Sequence, residues 1–487
     1  MKMKKVFALL LSVAMLASVT ACGNDNNNTV SNTTDSSSAA DESTEASSEE
    51  TAEELPVVSE EEDTITIMVP PVTGTYTEKL AVWAKEFEDM YPHLHIEVIA
   101  TSWDEHGSKL TTMALAGEAP DIAEVSYGAI GTYVEMGTAI NIADYMEAGR
   151  LDDYDQNALD YMTLENTLYG LPLYITIQAL GGNREMMEAV GADVAKIQTE
   201  GWTYEEFLDV IAAGTTNDIY GFVFGNSGVT TADFVSIFGV SAGISSSFTE
   251  DLKYAYTSEN MLALLEAVET MTSSGYMPDY AVEAAQRLVM LETGEAMVVG
   301  KAMPLFESNV KKNNAGIADG TAADGSIEVE YVFLPVPTME GATESVFGSV
   351  DGFIAMRNNN TTDEHLKNVC LFLDYICSGE RAASVYTELY LTCVCESGRQ
   401  IQSAFELDQS ELNAAATARA ISKVNAPPTG ITAEMSAGAK TIMDEVIVPK
   451  FQALLAGETT AKDMYDIVCS AAYETFGQDN CASGWVK

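Results

Sequence analysis

TITIMVPPVTGTYTEKLAVWAKEFEDMYPHLHIEVIATSWDEHGSKLTTMALAGEAPDIAEV, residues 64–125, alternates strand and helix signals. Thr64–Val69 reads as a strand stopped by Pro70 and Pro71. Thr75 and Glu78 fit a capping box, and Leu80, Trp83, Phe87 and Met90 follow at helical spacing. Leu94, Ile96 and Val98 alternate as a second strand, Asp104 opens a helix through Leu110 and Met113, and Gly117 closes it. Pro120–Val125 is a third strand, with a further helix over Tyr133–Met136 before Gly137. Strand, helix, strand, helix, strand means a parallel sheet covered by helices. Ligands of such sheets sit beyond the carboxyl ends of the strands, so a site should open after Val69, Ile99 and Val125.

Farther along, Leu171–Leu180 is another strand signal. Thr203 with Glu206 is a second capping box, Leu262, Leu265, Val268, Glu269 and Thr272 run along a helix, and Tyr331–Leu334 is a strand ended by Pro335 and Pro337. The roughly 420 residues after Thr64 exceed what one core usually serves, so two domains are expected.

Residues 1–23, MKMKKVFALLLSVAMLASVTACG, have a basic start at Lys2, Lys4 and Lys5, an apolar run from Val6 to Thr20, and small residues leading to Cys22. Val19-Thr20-Ala21-Cys22 resembles a bacterial lipobox. That resemblance implies a signal peptide over 1–21 and a diacylated Cys22 as the first residue of the mature chain. Residues 22–63 then form an acidic tether, with 13 acids and no Lys or Arg over 23–63. So little apolar surface does not offset the entropy of ordering, and like charges extend the segment. Fully stretched it reaches about 135 Å, and as a relaxed coil about 35 Å.

The chain has 24 Lys and Arg against 74 Asp and Glu, a formal charge of −50. The part after the tether keeps 21 of those bases and 61 of the acids. Such a surface repels nucleic acid and anionic lipid head groups, so no nucleic-acid partner is expected. No second apolar run reaches the ~18 residues that span a bilayer. Cys370 and Cys377 share a face of a helical pattern, Cys393 and Cys395 would share a strand face, and Cys469 and Cys481 lie near the end. Six cysteines allow about 15 pairings. Cys393-x-Cys395 lacks zinc-ligand spacing, which leaves buried free thiols as the favoured reading and disulfides open.

Catalytic motifs fail one by one. Gly294–Lys301 has five residues between its glycines and Ala302 where a phosphate loop has Ser or Thr. Gly348-Ser-Val-Asp-Gly352 is not a nucleophile elbow. His93-x-His95 has no spaced third ligand, so no metal is expected. Carboxylate pairs discriminate nothing in so acidic a chain.

Trp103-Asp-Glu-His-Gly-Ser-Lys-Leu110 followed by Ala116-Gly-Glu-Ala-Pro-Asp-Ile122 resembles the bacterial extracellular solute-binding proteins of sugar importers, the maltose-binding-protein-like family. Four further stretches match in order: Leu168-Tyr-Gly-Leu-Pro172 with Leu180 and Asn183; Gly201-Trp-Thr203 with Glu206 and Phe207, Trp and Thr being transposed; Gly294-Glu-Ala-Met297 through Gly300; and Phe347-Gly348 through Met356 before a Leu366–Ile376 helix. The resemblance implies an α/β periplasmic-binding-protein-like fold of two discontinuous lobes, 64–175 with 335–388 and 176–334 with 389–487. Crossovers near 174–178, 332–336 and 389–394 would join them at a hinge, with the ligand cleft between. It also implies a monomeric, lipid-anchored protein at the outer face of the bacterial membrane, with no cofactor and no catalysis. Such a protein hands a mono- or small oligosaccharide to the permease of an ABC importer. Two alternatives stay open: a non-sugar solute such as a polyamine, suited by Glu124 and Asp351, and a surface adhesin or hydrolase on the same scaffold.

A sugar site needs aromatic platforms with carboxylates and amides for the hydroxyls. Beyond Val69 the candidates are Thr75 and Tyr76, and beyond Val125 the resemblance directs attention to Ser126 and Tyr127, with Thr75 as a helix cap and Tyr127 as packed core the alternatives. At the first crossover Tyr174, Thr176 and Gln178 point to one side by period two. Ser349 and Asp351 share a face of the Gly-rich element, where Asp351 could instead cap a turn, and Tyr390 lies at the third crossover. One departure stands out. Relatives binding oligosaccharides often carry Trp shortly after the Gly-x-Ala-Met element, whereas Lys301-Ala-Met-Pro304 follows Gly300 here, with only Phe306 nearby. Trp83, Trp103, Trp202 and Trp485 read as helix-face or terminal residues, which argues against a long oligosaccharide.

Anchoring by one thioether lipid makes a simple prediction. Cys22→Ala should leave a folded protein that is no longer lipidated and washes off membranes in salt; full retention of that variant would remove the lipobox reading.

Overall fold

Alternation along Asp63–Val69 (β1) sends Ile65, Ile67 and Val69 into the main core while Met68, on the opposite face, joins a second apolar cluster. The computed structural model describes residues 61–486, except 226, 228, 229, 405–407, 425, 426 and 429. The signal peptide, Cys22 and nearly all of the tether lie outside the described residues. Helix α1, Tyr76–Met90, buries Tyr76, Leu80, Trp83, Ala84 and Phe87 on one stripe. Its expected capping box is absent. The Thr75 hydroxyl donates to Glu388 at 2.7 Å, and Lys79 pairs with the same carboxylate, so a tertiary tie replaces the local cap. The second box forms as expected, with Thr203 and Glu206 each receiving the other's backbone N–H. Helix α2, Trp103–Ala116, starts one residue earlier than Asp104, at an N-cap of Ser102, and stops at Gly117 with φ +73°. Helix α3 is Ile130–Glu135.

The remaining strands are β2 (Leu94–Ala100), β3 (Ile122–Ser126), β4 (Thr163–Leu164), β5 (Thr167–Leu168), β6 (Gly170–Asn183), β7 (Tyr220–Val223), β8 (Ala296–Ala302), β9 (Tyr331–Leu334) and β10 (Phe347–Ala355). The sheet runs β2-β1-β3-β10-β6-β8-β7, with β9 also paired to β6, while β4 and β5 form a small hairpin. Parallel pairing holds for β1 with β2 and β3 and for β7 with β8. β10 is antiparallel to β3 and β6, and β6 is antiparallel to β8 and β9. The sheet is therefore mixed, because the strands returning between its halves run the other way.

β6 changes partners midway. Residues 170–178 pair with β10, and residues 179–183 pair with β8 and β9. Close approach there needs glycine: a Cβ on Gly181 would stand 2.7 Å from the Tyr331 ring. Beyond β10, helix Asp363–Cys377 is followed by Gly379–Glu388 and Glu396–Gln402. The last of these is tied back to the chain before β4, through Ser397 N–H to Asp153 at 2.8 Å and Arg399 to Asp155 at 2.6 Å. All six described cysteines are buried free thiols, but 391–394 is irregular chain rather than the strand expected for Cys393 and Cys395.

His365 fastens helix Asp363–Cys377 to the sheet. Its ring nitrogens stand 2.9 Å from Asp63 and 2.9 Å from Asp121, and Asp121 also accepts from Thr66 N–H and hydroxyl. Burial alone would lower the imidazole pKa, but the two carboxylates overcome it and raise it to about 9. A folded-state value above the unfolded 6.5 means the stabilisation is full below 6.5 and lost as pH rises through about 9. Wild type should lose its melting-temperature advantage over His365→Gln across that window; a difference independent of pH would show that the imidazole is uncharged in the fold.

Candidate functional site

Strand register assembles the polar face. Ser126 on β3, Asp351 on β10 and Tyr174 on β6 form one row across three strands. Ser349 opposite Thr176 and Phe347 opposite Gln178 form the next two rows. Side chains two apart share a face, so the expected trio 174, 176 and 178 and the pair 349 and 351 come together. Glu124 stands on the same face of β3, opposite Phe353. Tyr174, Thr176, Gln178, Ser349 and Glu124 are buried, and Ser126 is exposed at the rim. Thr176 donates its hydroxyl to Ser349 O at 3.1 Å. The Gln178 side-chain oxygen is buried without a hydrogen-bond partner.

Two bulges aim the charged groups. Between Asp351 and Gly352 the register against β6 slips, leaving Leu173 as the extra residue. Between Ala179 and Leu180 it slips against β8, where Ala302 and Gly300 are paired and Lys301 is left out. Lys301 accordingly adopts φ +50°, a left-handed conformation unusual for a residue with a long side chain. Buried Arg287 grips that bulge, donating to Gly300 O at 3.0 Å and to Lys301 O at 2.9 Å. Burial lowers the guanidinium to about 10, which leaves it charged at neutral pH. The Lys301 ammonium pairs with Asp233 on helix Thr230–Gly239, and both charges act on Asp351.

Burial dominates the electrostatics. It raises Asp351 to about 6, opposed by hydrogen bonds from Tyr174 and Ser349 and by the Lys301 charge. It raises Glu124 well above the usual carboxylate range, and Asp351 adds to the shift. His106 lies against Glu124, with Nε2 2.7 Å from the Glu124 carbonyl oxygen and Nδ1 2.8 Å from the Thr101 hydroxyl. Its pKa is lowered by burial, so it is neutral and gives Glu124 no counter-charge. Tyr127 is half-buried, edge-on to Tyr161 at 5.2 Å, and burial raises its phenol, with Tyr161, Tyr256 and Asp351 adding.

Two expected residues are placed otherwise. Tyr76 is fully buried, edge-on to Trp83 at 5.9 Å and stacked on Phe353 at 6.5 Å, so it supports the face from beneath. Only its unpartnered hydroxyl comes within electrostatic reach of Glu124. Tyr390 has φ +55°, donates to Asp408 O at 3.4 Å, and opens on a separate groove with Gln402, Gln409 and Thr417. Its neighbours Leu389 and Leu391 instead join Tyr174, Thr176, Met303 and Leu305 around a small cavity beside the polar face. Phe306 lies under Arg287 and is no platform. Trp83 is core, and the indole N–H groups of Trp103, Trp202 and Trp485 bond Pro71 O, Pro335 O and Gly341 O. Sequence reasoning missed Lys301 and Asp233 as site residues, although a lysine ending the Gly-x-Ala-Met strand was visible.

The assembled groups offer acceptors at Asp351 and Glu124, donors at Lys301 and Tyr174, both capacities at Gln178, and an aromatic edge at Tyr127. They suit recognition of a polar, hydroxyl-bearing molecule. Among the described residues no three or more His, Cys, Asp or Glu stand together to hold a metal.

The model of the bacterial extracellular solute-binding protein family matches residues 72–378. A binding protein of Brucella abortus is 27% identical over 141 residues, 26% of this chain and 34% of its own length, so the chain spans about a third of the curated relatives it matches. An ABC substrate-binding protein of Listeria monocytogenes, solved in complex with cycloalternan, is similar with a TM-score of 0.66 at 17% identity, over 86% of this chain and 100% of that one. A sugar transporter of Arthrobacter chlorophenolicus A6 with bound laminaribiose gives 0.67 at 12%, over 85% and 99%. At these identities the likeness is one of fold, the two-lobed α/β arrangement.

Asp351 supplies a test of this electrostatic picture. Between 3.8 and about 6 the folded state keeps the proton that the unfolded state releases, so stability falls as pH rises through that interval. Asp351→Asn should gain in melting temperature relative to wild type on going from about pH 4 to about pH 7. An unchanged difference would mean the carboxyl titrates as if in water.

Proposed function

The chain belongs to the bacterial extracellular solute-binding proteins, and from that premise we propose that it captures a mono- or small oligosaccharide and passes it to an ABC importer permease. The observation that carries this is the three-row face of Ser126, Asp351, Tyr174, Ser349, Thr176 and Gln178, set against Lys301 from the other half of the sheet and its partner Asp233 on helix Thr230–Gly239. Sugar hydroxyls pair with alternating donors and acceptors of this kind, and the solved sugar complexes of the same fold support the choice. Tyr127 supplies a face or edge for ring C–H groups. Burying any of these polar groups unpaired costs about 1–3 kcal/mol, which selects for a matching hydroxyl pattern.

In this reading the lobes are 64–175 with 335–388 and 176–334 with 389–487. The ties of Glu396–Gln402 to Asp153 and Asp155 favour drawing the third crossover after Gln402. Closure about the hinge removes ligand and pocket from water. The protein acts as a monomer without cofactor or catalysis, held outside the membrane by the lipid on Cys22. A second reading, a polyamine, is favoured by Asp351 and Asp233 sharing one lysine, with Glu124 beside Asp351.

A thermal-shift panel of neutral sugars and polyamines separates the two, since ligand at 100 times its Kd stabilises by about 2.7 kcal/mol. A sugar should raise the melting temperature, and stabilisation by polyamines alone would replace the sugar reading. With the binding sugar, Asp351→Ala should weaken affinity roughly ten- to a hundredfold by calorimetry, as loss of a charged hydrogen bond of about 1.5–3 kcal/mol requires. Wild-type affinity would return Asp351 to a structural role.

A further inference from the structure

The segment between helices Gly379–Glu388 and Glu396–Gln402 carries a sulfur pair that ligand binding does not use. Cys393 Sγ and Cys395 Sγ lie 3.5 Å apart, both buried. The chain bends at Val394, and both sulfurs face Gly398, where a Cβ would stand 2.4 Å from one and 2.9 Å from the other. Only glycine leaves room for them. Local ties hold the segment: Gln402 accepts from Cys393 N–H at 3.0 Å and donates to Leu391 O at 2.7 Å, while Arg399 donates to Cys393 O at 3.1 Å. Ser397 Oγ donates to Asp153 Oδ2 at 2.5 Å and stands 3.8 Å from Cys395 Sγ.

The two thiols are made unequal. The hydrogen bond from Cys393 holds Cys395 down to about 7 against burial and the nearby Asp153 charge, with the Gly398 N–H assisting. The same bond, with burial, pushes Cys393 up. The other cysteines lack this arrangement. Cys370 and Cys377 are seven residues apart on one continuous helix, about 10 Å along its axis and beyond disulfide reach. Cys469 is engaged with Tyr465 and Tyr473, and Cys481 with Thr257.

We propose that Cys393 and Cys395 are a redox dithiol that hydrogen peroxide closes to an intramolecular disulfide, an oxidation site in the strap whose Leu391 lines the cavity. The Cys395 thiolate attacks one peroxide oxygen and the O–O bond breaks, giving a sulfenic acid and hydroxide. The Cys393 thiol then attacks that sulfur; the S–O bond breaks as the S–S bond forms, and its proton leaves with the second oxygen. Two thiols lose two electrons and the peroxide becomes two waters. A peroxide is small and uncharged, which suits sulfurs shielded from larger disulfides.

Trypsin separates the three pairs, because 368–381, 382–399 and 463–487 each hold one of them between cleavage sites. The purified full chain, reduced and then treated with hydrogen peroxide, should yield a 382–399 peptide lighter by two hydrogens that resists alkylation until dithiothreitol is added. In Cys393→Ser the sulfenic acid should persist on Cys395 and be trapped by a 1,3-dione, whereas in Cys395→Ser no trapping should occur at residue 393. A 382–399 peptide that stays fully alkylated, or oxidation confined to the other two peptides, would overturn the proposal.

Discussion

A buried strand must find partners for every N–H and C=O along it, and β6 meets that demand with two different sets of neighbours. Its first nine residues pair with β10, apart from Leu173 at the bulge, and its last five pair with β8 and β9. The halves of the sheet are therefore joined through one unbroken backbone, and the register on each side is fixed by the same strand. That register places Tyr174, Thr176 and Gln178 beside Asp351 and Ser349, and it leaves Lys301 as the residue β8 has to spare. A slip of one position would turn the polar face into the core.

Polar groups gathered at this junction are costly to hide. Asp351 and Glu124 resist ionisation, and the Gln178 side-chain oxygen has no partner. These are the groups whose desolvation a matching ligand would offset, and a ligand lacking the right hydroxyls would leave them stranded.

Much of this was legible in the sequence, and the failures have local causes. β1, β2, β3 and α2 follow from alternation, helical spacing and Gly117, and the shared face of 174, 176 and 178 follows from period two. Tyr76 was misjudged although its spacing from Leu80, Trp83 and Phe87 already put it on the apolar stripe of α1. Thr75 lost its cap to Glu388, a partner about 300 residues away that no local pattern announces. Tyr390 was turned aside by a positive φ, and Asp233 reached the site only through Lys301. Period and capping describe neighbours in the chain; the contacts across β6 depend on register between distant strands.

Lys301 shows how much of the fold supports one charge at this junction. A non-glycine residue held at positive φ costs on the order of 1–3 kcal/mol, and glycine in that bulge would avoid most of it. The fold instead spends a buried arginine on the two peptide oxygens around the bulge and an aspartate on the ammonium. Those supports hold the backbone and the charge separately, so the position of the ammonium against Asp351 does not depend on a flexible stem alone. An aromatic ring at 301 would cover a sugar face without discriminating among hydroxyls. A fixed cation between two carboxylates offers several donors in one direction, and this favours a short ligand read by its hydroxyls over a long one read by its faces.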